Sequence, residues 1–276
     1  MNNSVKQITK KKITFIGAGN LATCLSLALQ KKGISIYQVF SRTEKSARGL
    51  ATKLDCSWTT NILEIKDDAD LYVFSVKDSV LKDLLETMPS NNGIWVHTAG
   101  SMSISVFPDS HNSCGVFYPL QTFSKDRPVD FTDIPIFLEA RNADVYALLE
   151  DIAKQLSNNV IQASSLQRQY LHIAAVFACN FTNHMYAIAE NILSAHKLDF
   201  KSLIPLIQET AQKTISLRPI DAQTGPAVRY DENVINKHLD FLSDTPTLQT
   251  LYKELSNSIH KYAVNTHQQE NEPNKL

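Results

Sequence analysis

Lys12-Ile13-Thr14-Phe15-Ile16-Gly17-Ala18-Gly19-Asn20-Leu21-Ala22 is the stretch that decides the fold. Ile13 to Ile16 read as a short buried strand. The Gly-x-Gly-x-x-Ala turn after it opens a helical run, Leu21 to Lys32, closed by Gly33. Gly17 permits a tight strand-to-helix turn, and Gly19 lets the backbone approach a pyrophosphate. Ala22 is small enough for close helix–strand packing, and the helix N-terminus offers free N–H groups and a positive dipole end. The same glycines could form an ordinary turn in another α/β protein. A second strand, Ile34 to Phe40, falls at βαβ spacing and favours the dinucleotide-binding reading. Gly17, Ala18, Gly19, Asn20, Leu21 and Ala22 are therefore candidate cofactor contacts.

The second strand runs into Ser41-Arg42-Thr43. The residue closing this strand sits beside the adenine ribose, where an NAD-selective site places Asp or Glu. Here the first carboxylate is Glu44. Two hydroxyls flanking a guanidinium suit a 2′-phosphate, since a planar donor fork meets a dianion and the hydroxyls add neutral donors. This marks NADP(H), with Ser41, Arg42 and Thr43 as its 2′-phosphate pocket. The competing reading has Ser41 capping a helix from Thr43 to Leu54 while Arg42 points into water.

A weak strand around Cys56-Ser57-Trp58 and a short helix near Asn61 to Ile65 come next. Asp70 to Val76 is a nearly continuous apolar run of the kind buried on both faces of a parallel sheet. Val76 and Lys77, at its carboxyl end, are candidate cofactor contacts. Asp78 reads as the N-cap of a helix from Ser79 to Met88. Gly93 to Val96 is another strand, and it leads into His97-Thr98-Ala99-Gly100-Ser101 near the nicotinamide end of a cofactor. Thr98 and Gly100 would touch the cofactor and Ser101 a substrate. His97 is a candidate acid/base, or else a packed strand-end histidine. Gly115 to Phe123 reads as a strand turned by Pro119, followed by strand Ile134 to Leu138, helix Ala143 to Leu156 and strand Val160 to Gln162.

Composition narrows the function classes. The chain has 276 residues and a formal net charge of −1, which gives no electrostatic footprint for nucleic acid or an anionic membrane. Cys24, Cys56, Cys114 and Cys179 are widely spaced, as expected of reduced, mostly buried thiols in a cytoplasmic protein. Met1 to Lys12 carries lysines with no apolar core after them, so no secretory signal is expected. No apolar run approaches the roughly 20 residues of a membrane span.

After Gln162 the βα alternation stops. We expect an α/β domain over 1–163, an all-helical domain over 164–265 and a disordered polar tail over 266–276. Ser165 to about His196 contains no Gly or Pro and would span about 45–50 Å as one helix with a hydroxyl cap. Ala174, Ala175 and Ala178 would allow close helix approach. At 100° per residue Asn180 and His184 share a face and His172 lies two turns back, so His172 and Asn180 are expected in a cleft and His184 in structure. The histidines have no accompanying carboxylate or cysteine cluster, and no metal site is expected. Leu203–Leu217, Asn233–Leu242 and Thr247–Val264 are further helices, with a rigid Gly225-Pro226 break before Arg229 and Asp231. That pair reads as an ion pair fixing the turn, or Arg229 binds a substrate carboxylate.

With these motifs the chain resembles the Rossmann superfamily of 6-phosphogluconate dehydrogenase, β-hydroxyacid dehydrogenases, ketopantoate reductase and pyrroline-5-carboxylate reductase. More closely, it resembles a bacterial family of NADP oxidoreductases that joins a Rossmann-like domain to a helical domain of unknown function. The resemblance is carried by the Gly17–Ala22 and Ser41–Thr43 motifs, Val96 to Gly100 and Tyr118-Pro119-Leu120-Gln121-Thr122-Phe123. In the helical half it is carried by Tyr170 to Phe181, Thr224 to Asp231 and His238. It implies a Rossmann-type parallel sheet, NADP(H), and a homodimer made through the helical domains.

One departure concerns the chemistry. The β-hydroxyacid dehydrogenases and ketopantoate reductases use a helix lysine followed four residues later by Asn or Asp. Asn180 matches the amide, and Val176 then stands in the lysine position. Pyrroline-5-carboxylate reductases also lack that lysine, because a protonated imine needs less help than a ketone. The expected activity is NADP(H)-dependent oxidoreduction of a small carbonyl or imine in the interdomain cleft, with His97, His172 and Asn180 as catalytic candidates. The alternative is a non-catalytic NADPH sensor or scaffold.

Overall fold

The structure, a computed structural model, describes residues 11–127 and 129–271, with side chains to residue 265. It forms two compact units that divide between Met185 and Tyr186. The stretch read above for a signal falls largely outside the described residues.

The first unit is built on one sheet. Its strands are β1 (Ile13–Ile16), β2 (Ile36–Phe40), β3 (Ser57–Thr59), β4 (Leu71–Phe74), β5 (Ile94–His97), β6 (Cys114–Pro119), β7 (Ile136–Ala140) and β8 (Val160–Gln162). Their order is β3-β2-β1-β4-β5-β6-β7-β8. The first six are parallel, whereas β7 runs antiparallel to β6 and carries β8 parallel to itself. Thr14 of β1 lies opposite Gln38 on one side and Tyr72 on the other. The chain winds outward from β1 to β3, then returns to place β4 on the far side of β1. Ligands of open α/β sheets bind outside the carboxyl ends of the strands at such a reversal. The Gly17 turn and the segment after β4 both lie there.

Strand period sorts the core into two layers. Ile13 and Phe15 of β1, with Leu71 and Val73 of β4, face α1 (Asn20–Lys31), α2 (Glu44–Leu54) and α4 (Ala143–Leu156). Ile16, Tyr72 and Phe74 face the other way, against Leu81 and Leu85 of α3 (Asp78–Thr87) and against Trp95 and Phe107. Helices on both faces leave β1 and β4 no exposed side, which is why these strands read as unbroken apolar runs.

The helical segment starts inside this first unit. Ser164 caps α5 (Ser165–Ala175) by accepting from the Gln167 N–H, and the Gln167 side chain accepts in return from the Ser164 N–H. The cap is thus Ser164, while the Ser165 hydroxyl donates to Glu139 at 2.7 Å. The expected uniform rod is interrupted. Val176–Phe181 is a π-helical turn before α6 (Thr182–Ala195), within which the two units meet in sequence. The wider turn changes the angular phase, so the 100° geometry assumed for Asn180 and His184 does not hold across it. The Thr182 hydroxyl donates to the Phe177 carbonyl at 3.2 Å, helping to satisfy a group that the widened turn displaces.

In the second unit, α7 (Ile204–Ser216) carries Pro205 in its first turn, where a missing N–H costs nothing. Asp231 caps α8 (Glu232–Phe241) by accepting from the Val234 N–H. α9 (Pro246–Asn271) packs back on α8, with His238 Nδ1 at 2.8 Å from the Tyr252 hydroxyl and Gln249 Nε2 donating to the Leu239 carbonyl. The helix continues beyond residue 266, and 272–276 of the expected tail lie outside the described residues. Among the described residues no helix is long and apolar enough to cross a membrane.

Candidate active site

A cavity of 1380 Å³ opens at the carboxyl ends of β1, β2, β4, β5 and β6 and is closed on one side by α5 and the π turn. Pockets for drug-sized ligands measure about 300–1,000 Å³, so this volume suits something larger, such as a dinucleotide with a second small molecule. All of its lining residues belong to the first unit.

At one end stands the glycine turn. Gly17 has φ +116°, and a Cβ there would lie 2.2 Å from the Ser75 carbonyl oxygen. Its N–H donates to the Phe40 carbonyl at 2.8 Å, so this residue is wedged between the ends of β4 and β2. Gly19 differs, because a Cβ there would meet nothing within 4 Å. It sits at the N-cap of α1 with no side chain capping the helix, leaving leading N–H groups for an anion. Gly17, Ala18, Gly19, Asn20 and Leu21 line the cavity. Ala22 is wholly buried beneath them, as close helix–strand packing requires.

Beyond β2, Ser41, Arg42 and Ser46 line the wall. Arg42 forms no ion pair among the described residues, and Glu44 turns to Arg48 at 3.6 Å. Thr43 takes no part in the wall. It occupies the N-cap position of α2, and its hydroxyl donates to Ser46 Oγ at 2.9 Å, so Ser46 replaces it beside the guanidinium.

Val76, Lys77, Thr98 and Gly100 all line the cavity. The N-cap of α3 is Lys77, not Asp78. The Asp78 carboxylate lies within the first turn and accepts from the Ser101 hydroxyl. That bond commits Ser101, which does not reach the cavity as the sequence suggested. His97 departs further from expectation. It is wholly buried, its Nδ1 accepts from the Ala99 N–H at 3.2 Å, and its ring stacks on Phe107. Burial, with the nearby Arg168 charge, holds its pKa down at about 3. It is a neutral packed histidine outside the cavity, so the acid/base assignment falls.

His172 and Asn180 do line the cavity, as does Val176, while His184 does not. Ala174, Ala175 and Ala178 form the same wall, and their small side chains leave room for the cavity instead of a second helix. Cys179 lines it too and is exposed, unlike the buried Cys114. Arg229 stands exposed in the second unit. The ion pair expected between it and Asp231 does not form among the described residues, because Asp231 caps α8 instead. Among the described residues no group of three or more His, Cys, Asp and Glu could hold a metal ion.

A family model described as NADP oxidoreductase, coenzyme F420-dependent, matches residues 12–98, and one for a domain of unknown function (DUF2520) matches residues 134–259. A crystal structure of a candidate NADP oxidoreductase from Bacteroides fragilis is 51% identical, covering 92% of this chain and 99% of that one, with TM-score 0.87. The chain belongs to this NADP oxidoreductase family. NADP(H) is accordingly its cofactor, and the open cradle over Gly19, the uncapped α1 and the unpaired Arg42 fit that group. A Thermotoga maritima protein shares the fold at 21% identity and TM-score 0.76, over 91% of this chain and 99% of that one. An imine reductase from Myxococcus stipitatus in complex with NADP+ shares it at 13% identity and TM-score 0.61, over 93% and 94%. The comparison with curated proteins returns no match.

Two residues at or behind the cavity wall were given no role by the sequence reading. Tyr118, the penultimate residue of β6, lines the cavity with its hydroxyl 3.3 Å from His172 Nδ1. Arg168 is wholly buried behind the wall and donates to the carbonyls of Ala99, Gly100 and Met102 at 3.0, 3.2 and 2.6 Å. Gln169 Nε2 adds a bond to the Ser101 carbonyl. Together they hold the loop after β5 against α5. The signal for Tyr118 was its place at the end of an apolar strand just before Pro119; Arg168 carries no spacing signal.

Proposed function

We propose that this protein is an NADP(H)-dependent oxidoreductase of a small carbonyl or imine compound. The observation that carries the reading is continuity: one cavity joins the glycine turn to a helix wall bearing His172 and Asn180. In this reading the Gly17–Ala22 turn holds the pyrophosphate and Ser41, Arg42 and Ser46 hold the 2′-phosphate. Val76, Lys77, Thr98 and Gly100 flank the nicotinamide half. The bound cofactor supplies hydride chemistry, and the chain orients the substrate against α5 and the π turn.

An imine is favoured within this class. Val176 puts an aliphatic group where the β-hydroxyacid dehydrogenase pattern has lysine, which suits a substrate that needs less electrophilic help. Imine reductases and pyrroline-5-carboxylate reductases are among the proteins of similar fold. We place the protein in the cytoplasm, in keeping with four unpaired cysteines. We also propose a homodimer through the helical region. Leu166, Tyr170 and Ile173 of α5, with Phe177 and Phe181 of the π turn, are exposed apolar side chains, a surface of the kind that marks protein interfaces.

The test is turnover. NADPH oxidation is followed with short ketoacids, aldehydes, imino acids and cyclic imines. Reduction of one class with NADPH preferred over NADH is the expected result. Tight NADPH binding with silence across all classes would replace this reading with that of a sensor.

A further inference from the structure

Resting on the oxidoreductase reading, we propose that Tyr118 protonates the substrate heteroatom and that His172 is the positioning partner that returns the proton. β6 is parallel to β5, so Tyr118 emerges at the same sheet edge as Thr98 to Gly100. Its hydroxyl is 3.3 Å from His172 Nδ1, which approaches from α5. Gly100 makes the meeting possible. A Cβ there would lie 2.7 Å from Tyr118 Cζ, 2.8 Å from its hydroxyl and 2.9 Å from His172 Nδ1. Three elements thus converge on one point of the cavity wall, and the one without a side chain leaves room for the other two.

Several neighbouring donors are committed or unsuited. Ser101 donates to Asp78, the Thr122 hydroxyl to Gln121, the Thr87 hydroxyl to backbone carbonyls, and Thr98 is buried against the Phe74 carbonyl. His97 lies outside the cavity, and an amide such as Asn180 orients but does not protonate. Lys77 lines the cavity but is held by no side-chain bond among the described residues. Tyr118 is fixed by its strand, by His172 and by ring contact with Phe137.

The charges around the pair are Arg168 on α5, Asp78 on α3 and Glu139 on β7, which pairs with Arg168. Burial pushes the Tyr118 phenol up, Arg168 lowers it and Asp78 raises it, leaving a neutral donor at physiological pH. In the reducing direction the substrate C=N or C=O carbon gains a hydride from the dihydronicotinamide of NADPH, leaving NADP+. The π pair moves to the heteroatom, which takes the Tyr118 proton. His172 then returns a proton to the phenolate through Nδ1 and takes a replacement proton from the solvent.

The experiment uses the full chain and the compound that wild type reduces best, with NADPH affinity and thermal stability measured alongside. Positioned general acids contribute about 10²–10⁴-fold, so Tyr118→Phe is expected to lower kcat about 100-fold or more while NADPH affinity and Tm hold. His172→Gln is expected to lower kcat less and to change the pH profile of kcat, because the proton return to Tyr118 is lost. Wild-type kcat in Tyr118→Phe overturns the assignment. Should that variant fail to fold, an unchanged pH profile in His172→Gln overturns it instead. A wild type that binds NADPH yet reduces nothing overturns this assignment together with the oxidoreductase reading, whereas an active wild type with an active Tyr118→Phe overturns this assignment alone.

Discussion

Arg168 Nη2 meets Glu139 Oε2 at 2.7 Å, with the arginine side chain wholly enclosed and the glutamate largely so. The pair ties α5 to β7, and Nη1 of the same guanidinium grips the loop after β5. Removing one partner leaves an uncompensated buried charge, which costs about 3–5 kcal/mol. Glu139→Ala is expected to lower the unfolding free energy by that amount, read as a lower urea midpoint at unchanged denaturant slope. The double variant Arg168→Met, Glu139→Leu should lose less than the two single losses combined, since neither charge is then stranded. A double-mutant cycle in urea measures both.

The two glycines of the turn should separate folding from binding. Gly17→Ala forces an L side chain into φ +116° and against the Ser75 carbonyl; the backbone conformation alone costs about 1–3 kcal/mol. Gly19→Ala meets no protein atom and should cost no more than about 1 kcal/mol of stability as a poorer N-cap. Its NADPH affinity should nevertheless fall at least about tenfold, equivalent to 1.4 kcal/mol. Thermal shift and calorimetric titration of the two variants distinguish these outcomes.

Arg42 should govern the choice between cofactors. Arg42→Ala is expected to weaken NADPH by about 1.5–3 kcal/mol, the worth of a hydrogen bond to a charged group, and to leave NADH almost unchanged. Fluorescence titration with both dinucleotides reads the difference. Equal loss for both would assign Arg42 to the shared part of the molecule instead.

His97 predicts an acid-sensitive fold. Folded, its imidazole stays neutral until about pH 3 because burial opposes the charge; unfolded, it takes a proton near pH 6.5. The unfolded state therefore binds more protons between these values. Stability contributed by the neutral ring is fully present above about pH 6.5 and drains away toward pH 3, at up to about 1.4 kcal/mol per pH unit. His97→Asn, which keeps an acceptor for the Ala99 N–H, should flatten that limb. Urea unfolding of both proteins at pH 7 and pH 5 gives the comparison.

Assembly is open to direct measurement. Light scattering at micromolar concentration should give about twice the 30.9 kDa chain mass, because exposed apolar surfaces of this kind are normally covered. Phe177→Glu on that surface should shift the protein toward the monomer. A wild type that scatters as a monomer ends the dimer proposal.

What the sequence determined by itself is whatever depends on neighbours close along the chain. Gly17 to Ala22 between two apolar strands specified a βαβ unit and its phosphate turn, since strand, turn and helix are read at fixed spacing. The absence of a carboxylate before Glu44 likewise pointed to the cofactor. Tertiary structure decided the rest. Whether His97 faced the cavity or the core depended on which side of β5 was filled by Phe107, and the sequence named both outcomes without choosing. Ser46, one helical turn on, took the wall position that the sequence had assigned to Thr43, and a π turn no periodicity announces reset the face of Asn180. Tyr118 and His172 are 54 residues apart, and only the packing of α5 over Gly100 brings them to one point.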